Sequence, residues 1–258
     1  MQKQFAEHAA DVLKDDDDVI GLAVAGSWLT NEIDDFSDVD LILVTKEKIS
    51  SDKHRMIAYA EKLGNFLAGF TGEHVGEPRV LICLYDNPLL HVDIKFVTLD
   101  EFGSRIETPF ILLDKNGALQ KIIDRTEAKF PYPDHQWIED RFWIWVHYAL
   151  LKIGRGEYVE ALDFFGFLRM VVFGPLLHIK NGNLPRGVRK VETQLAKPDL
   201  DLILKTIPAY NKASLLEALD NTVQLYRQLR KVLFTAEVKL QSATETKVME
   251  YFTELRKA

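Results

Sequence analysis

Val24-Ala25-Gly26-Ser27, ten further residues, and then Asp38-Val39-Asp40-Leu41-Ile42-Leu43-Val44 form the stretch on which the reading of this chain turns. Residues 19–25 are a β-branched, apolar run ended by Gly26, and residues 39–44 are another, so both read as buried strands. Side chains alternate faces along a strand, which points Asp38 and Asp40 the same way. Two carboxylates about 5 Å apart repel by roughly 3 kcal/mol at an effective dielectric near 20. A divalent cation removes that repulsion. Paired aspartates with water and phosphate oxygens suit Mg²⁺, a hard ion that prefers oxygen, with Mn²⁺ as its substitute.

Gly26 lets the backbone come close to a ligand at the strand end, because it has no Cβ to clash. Ser27 adds a hydroxyl, and the amides after it are expected to open a short helix over residues 28–33 whose N-terminus favours anionic phosphate. Phosphate donors beside a metal cradle are what a nucleoside triphosphate needs. A third strand, residues 89–97, places His91, Asp93 and Lys95 on one face and Val92, Ile94 and Phe96 on the other. If it neighbours residues 39–44, Asp93 approaches Asp38 and Asp40 as a third metal ligand or as a general base.

Outward from these strands, Gln2–Leu13 reads as an amphipathic helix, and Asp15 to Asp18 as a solvated link. Residues 53–70 carry helical periodicity, residues 71–78 a Gly- and Pro-bearing loop, and residues 79–85 a strand that forms a hairpin with 89–97 through Asp86-Asn87-Pro88. The sheet should therefore be mixed. Phe130-Pro131-Tyr132-Pro133 is helix-averse and marks the candidate boundary between residues 1–130 and 131–258. Beyond it, residues 137–154, 157–179, 200–207, 214–234 and 243–256 all show helical spacing. The expected fold is α+β: a small mixed sheet with flanking helices, followed by an α-helical bundle.

The chain of 258 residues is 47% hydrophobic and 28% charged, the composition of a soluble globular protein rather than a disordered one. Its uninterrupted apolar stretches are too short for a membrane span. No signal peptide is expected from its opening residues. With 32 basic and 39 acidic residues the net charge of −7 argues against a broad nucleic-acid surface. The single Cys83 excludes an internal disulfide and a cysteine-ligated zinc site. A cytoplasmic location is the expectation.

Gly-Ser, ten residues, Asp-x-Asp and a later strand carboxylate resemble the signature of the DNA polymerase β-like nucleotidyltransferase superfamily. Phe142-Trp143, Lys152, Arg155-Gly156-Glu157-Tyr158 and Ala161-Leu162 resemble the helical domain of streptomycin adenylyltransferases and the larger lincosamide nucleotidyltransferases. Leu112-Leu113-Asp114-Lys115, leading into Gly117 and Leu119, is similar to the segment after their catalytic sheet. The resemblance covers most of the chain. It implies a catalytic domain over 1–130 and an acceptor-binding domain over 131–258. It further implies that Gly26 and Ser27 bind the triphosphate, that Asp38 and Asp40 hold Mg²⁺, and that Asp93 fills a position that is a metal ligand in some relatives and a base in others. The Gly or Arg usual a few residues after Gly-Ser is absent from residues 28–33. Lys152 is assigned to the triphosphate as a point charge; a lysine just before Gly154 equally suits the C-terminal end of a helix.

The expected activity is Mg²⁺-dependent transfer of a nucleoside monophosphate, AMP from ATP, to a hydroxyl of a small molecule such as an aminoglycoside or lincosamide antibiotic. The rival readings are a catalytically weak nucleotide-binding regulatory protein and an antitoxin-like, protein-modifying nucleotidyltransferase. Similar enzymes often pair subunits across the helical domain, so a homodimer is also an expectation.

Overall fold

The computed structural model describes residues 1–50 and 52–257. They divide into two compact units that meet in the chain between Phe130 and Pro131.

In the first unit, six strands form one mixed sheet: β1 (Val19–Val24), β2 (Val39–Thr45), β3 (Phe66–Gly72), β4 (Glu77–Tyr85), β5 (Leu90–Thr98) and β6 (Phe110–Asp114), in the spatial order β3-β4-β5-β2-β1-β6. Only β2 and β5 run parallel; every other pair is antiparallel, including the β4–β5 hairpin. A parallel pair needs a long crossover. Here it carries α2 (Lys53–Lys62), opened by the Asp52 carboxylate on the amides of His54 and Arg55, together with β3 and β4.

Alternation sorts the strand residues. Leu22, Leu41, Leu43, Ile94 and Phe96 pack with Ala6, Ala9 and Leu13 of α1 (Gln2–Leu13) and with Met56 and Ala60 of α2. Ala23, Val44 and Val97 point the other way, against Phe102 of α3 (Leu99–Phe102) and Leu119 of α4 (Ala118–Arg125). On that second face Val44 and Val97 are buried, whereas Asp40, Ile42, Asp93 and Lys95 are only half-buried. The face is thus deeply covered at the carboxyl ends of β2 and β5 and more open at their amino ends.

Two expectations change here. The helix over 53–70 stops at Lys62, because Gly64-Asn65 interrupts it and residues 66–72 find main-chain partners in β4. Their apolar spacing fits either period, and pairing decides. The loop expected over 71–78 shrinks to a single turn, Glu73–Val75, within the β3–β4 hairpin. Strand β6 and helix α4 lie in a region that had been read only through its resemblance.

The second unit is helical: α5 (His135–Gly154), α6 (Tyr158–Leu168), α7 (Gly174–Lys180), α8 (Val191–Gln194), α9 (Lys197–Leu204), α10 (Lys212–Leu233) and α11 (Ser242–Lys257). Asp134 caps α5 by accepting from the amides of Gln136 and Trp137. Between α6 and α7 the backbone widens into a π turn, Arg169–Phe173, just ahead of Pro175, which has no amide to continue the ladder. Gly174 is required there: a β-carbon on it would lie 2.1 Å from the Gly187 carbonyl oxygen.

The turn joins α6 and α7 into one helical run, Tyr158–Lys180, with a mean hydropathy of 1.5 over its most apolar window. By length and composition this run could cross a bilayer, which the separate apolar stretches could not. Half of that window is buried, with Leu168, Val172, Phe173, Leu176 and Leu177 inside the bundle core, and a central core helix is apolar all round for that reason. A fully buried carboxylate, Glu139, ties the bundle together. It accepts from Tyr226 Oη at 2.5 Å, Arg230 Nη1 at 3.2 Å and the Gln241 amide at 2.9 Å. The carboxylate thereby joins α5, α10 and the chain entering α11, and its hydrogen-bonding capacity is used rather than left unmet.

Candidate active site

β1 ends at Val24, yet the ladder continues one step: the Ala25 amide donates to the Asp40 carbonyl at 2.9 Å. The chain then turns sharply at Gly26, whose φ of +64° is open to glycine and strained for other residues. The turn presses the backbone onto Asp40 so closely that a β-carbon on Gly26 would stand 1.9 Å from Asp40 Oδ2. A single 3₁₀ turn, Gly26–Trp28, follows, closed by the Leu29 amide on the Gly26 carbonyl at 3.1 Å. Residues 28–33 do not form the expected helix. Asn31 takes a left-handed conformation, and the following residues run without regular structure towards β2. The anion site foreseen at a helix N-terminus is therefore not built, and what remains for a phosphate is the turn itself.

Asp38 is exposed immediately before β2, and Asp40 is the second residue of that strand. The loop delivering Asp38 is held by Gln2 of α1, whose side-chain amide donates to the carbonyls of Asp34 at 2.8 Å and Ser37 at 3.0 Å. The Asp34 carboxylate accepts from the Ser37 hydroxyl and from the Phe36 amide, which hold it below the usual carboxylate range.

The parallel register sets Asp40 directly opposite Asp93. Neighbouring strands lie about 4.8 Å apart, so the two carboxylates rise from adjacent backbone positions on one face. Asp93 Oδ1 lies 2.9 Å from His91 Nε2. His91, Asp93 and Lys95 share the polar face of β5, as the alternation predicts, and Val92, Ile94 and Phe96 are buried. Lys95 is turned to Glu77 at 2.8 Å. The Glu77 carboxyl is held down at about 2, by Arg79 most strongly and by Lys95, against the upward push of partial burial. Cys83 is buried, and burial, reinforced by the charge of Asp93, pushes its thiol up to about 12. That is an inert thiol, as its apolar strand suggests.

Glu107 was not foreseen. Its Oε1 accepts the Gly26 amide hydrogen bond at 3.0 Å, from the loop between α3 and β6. That loop is moored two residues earlier by Arg105, which donates to the carbonyls of Thr126 at 2.6 Å and Ile123 at 3.3 Å and to the Thr126 hydroxyl. An isolated glutamate in a loop carries no spacing signal in the sequence, so only the tertiary fold reveals it.

Lys152 belongs to the helical unit, in the last turn of α5. Its ammonium is paired with Glu157 at 2.8 Å and Glu160 at 3.0 Å, and lies 5.1 Å from the centre of the Tyr148 ring. The two carboxylates raise its pKa.

Among the described residues no three His, Cys, Asp or Glu side chains are gathered into a ready-made metal cage. Mg²⁺ does not require one: it keeps several waters and commonly takes one or two carboxylates plus phosphate oxygens. Asp40 and Asp93, facing each other across β2 and β5 beside a backbone cradle that a β-carbon would fill, are an all-oxygen donor set of that kind.

No protein-family model matches the chain, and no curated protein matches it significantly. Among solved structures it is similar to an aminoglycoside 6-adenyltransferase from Bacillus subtilis, with a TM-score of 0.42 and 12% identity over 100% of this chain and 99% of that one. It is also similar to a nucleotidyltransferase-like protein from Exiguobacterium sibiricum, with a TM-score of 0.36 and 13% identity over 99% of this chain and 89% of that one.

Proposed function

We propose that the chain is a nucleotidyltransferase using Mg²⁺, or Mn²⁺ in its place, to move AMP from ATP onto a hydroxyl of a small molecule. The observation that carries this reading is the register of Asp40 against Asp93, with Gly26 pressed onto the Asp40 carboxylate. Asp40, with Asp38 just ahead of the strand, would hold the cation, and Asp93 stands opposite Asp40 to receive the acceptor proton. When bound, a divalent cation supplies Lewis-acid stabilisation of the charge that builds on the transferring phosphoryl group and the departing pyrophosphate.

The residues of the chain do the rest. Gly26 and Ser27 hold the triphosphate against the turn, and Asp93, steadied by His91, faces the acceptor hydroxyl. That hydroxyl attacks the α-phosphorus, its proton passes to the Asp93 carboxylate, and the bond to the bridging oxygen breaks to release pyrophosphate. Positioning and fixed charge account for most of the rate in such a step. Lys152 is left out of this scheme, since Glu157 and Glu160 already engage its ammonium. An aminoglycoside or lincosamide acceptor follows from the family resemblance of the sequence, and a cationic one accords with a net charge of −7.

The test is incubation of the purified protein with labelled ATP, Mg²⁺ and a panel of aminoglycosides and lincosamides. A labelled adduct with one acceptor is the expected result. Absence of Mg²⁺ and Mn²⁺ uptake in calorimetry with a non-hydrolysable ATP analogue overturns the reading. A second reading, a nucleotide-binding regulatory protein with weak turnover, draws on one observation: the Gly26 amide already donates to the Glu107 carboxylate, which a phosphate must displace. Binding of the analogue without product across the panel would favour it.

A further inference from the structure

The opposite end of the sheet carries a feature that this function does not use. A cleft of about 500 Å³ lies where β1 begins, where β2 and β5 end, and along the first two turns of α4. Four of the residues that line it are cationic, Lys46, Lys115, Lys121 and Arg125, and Ile20 and Ile122 are among its aliphatic residues.

In a chain of net charge −7, the cations of this unit are commonly paired: Lys48 with Glu101 at 2.7 Å, Lys62 with Asp16 at 2.8 Å, Lys95 with Glu77 at 2.8 Å. Among the described residues none of the four cleft cations makes an ion pair. Lys115 donates to the Asp16 carbonyl at 2.6 Å and Lys121 to the Asn116 carbonyl at 3.1 Å, bonds that fix their ammonium groups; the Asp16 carboxylate, which also feels the charge of Lys115, is itself paired with Lys62. One carboxylate, Asp17, also lines the cleft, and Asp114 nearby is committed to the Leu119 and Gln120 amides at the start of α4. Positive charge is in surplus, and it lies over an apolar surface.

A concave site of this volume, with a few fixed charges around an apolar floor, is the usual form of a small-molecule pocket. We propose that this cleft is a second ligand site, for a small organic phosphate whose anionic group meets Lys46, Lys115, Lys121 and Arg125 and whose apolar body lies on Ile20 and Ile122. The site is independent of the Gly26 turn and needs no divalent cation.

Calorimetry on the full chain in EDTA tests this, with AMP and inorganic phosphate as probes and with wild type, the Lys46→Ala/Arg125→Ala double variant, Lys121→Glu and Asp40→Asn compared. AMP is expected to bind wild type and Asp40→Asn equally, and about ten-fold more tightly than inorganic phosphate does. Affinity should fall with salt and drop about ten-fold or more in the double variant and in Lys121→Glu. All the substituted cations are exposed, so thermal melts should confirm intact folding. No AMP uptake by wild type, equal affinity in the cation variants, or loss of binding in Asp40→Asn would each overturn the proposal. The last would place the ligand at the Gly26 turn, whose own function is read separately from Mg²⁺ uptake with the ATP analogue.

Discussion

Gly26 and Asp40 occupy space that a single methyl group would contest: a β-carbon on the glycine would come within 1.9 Å of the aspartate's Oδ2, at a backbone φ of +64°. Gly26→Ala must either push the carboxylate aside or unwind the turn. The expected outcome is a loss of about 1–3 kcal/mol in stability, measured by urea denaturation, together with loss of Mn²⁺ uptake in a titration with the ATP analogue. A variant of unchanged stability and metal affinity would contradict the close approach.

Asp40→Asn removes one of two carboxylates aligned across β2 and β5. Their mutual repulsion is worth roughly 3 kcal/mol at most when no cation is present. Turnover should disappear, while the melting temperature in metal-free buffer holds or rises. A large fall in that temperature would show that Asp40 is chiefly a structural partner.

Asp93 is set by His91 and by the register, and its role as base or ligand separates kinetically. If it receives the proton, Asp93→Asn should cut kcat by about a hundred-fold or more while Mg²⁺ affinity changes little. A proportional fall in Mg²⁺ affinity assigns it to the metal instead.

Glu107 sits on the amide that a phosphate is proposed to use. Glu107→Gln keeps a hydrogen-bond acceptor but removes a negative charge beside the triphosphate. KM for ATP should therefore fall by about three- to ten-fold with kcat little changed. A rise in KM would show that the carboxylate supports the bound state.

The Glu77 carboxyl sits at about 2, below its ordinary 4.5, because Arg79 and Lys95 favour its charged form. A depressed carboxylate adds stability above the ordinary value, and that contribution is lost as pH falls from 4.5 towards 2. Solvent screening at this partly exposed cluster limits it to about 1–2 kcal/mol. In urea titrations the gap between wild type and Glu77→Gln should be full at pH 6 and close on acidification through that window.

Much of the fold, and the placement of the candidate carboxylates, is legible in the sequence. Residues 19–25, 39–44 and 89–97 declare themselves through β-branched runs and strict alternation, and the pairing of the last two strands brings Asp93 to Asp40 as anticipated. The failures share a cause, which is tertiary context. Residues 66–72 become a strand because β4 supplies hydrogen-bond partners, which local periodicity cannot reveal. The expected helix over 28–33 is interrupted at Asn31, which takes a left-handed conformation, and a loop follows instead. Glu107 and Gln2 act across long sequence separations, where single polar residues leave no pattern, and Glu139 reads as an ordinary helical surface acid until Tyr226 and Arg230 are seen to enclose it.

The parallel pairing of β2 with β5, with a helix and a hairpin intervening in the chain, has a bearing on biogenesis. A nascent polypeptide that has emerged only through its second strand already bears the glycine-serine bend and the first two acids, yet it has nothing to oppose them. Ribosomal synthesis must deliver the fifth strand, and the sheet must admit it between two earlier neighbours, before the carboxylates meet. The meeting of the two carboxylates would therefore arrive in one step, with closure of the sheet, and premature termination products would carry the motif without that pairing.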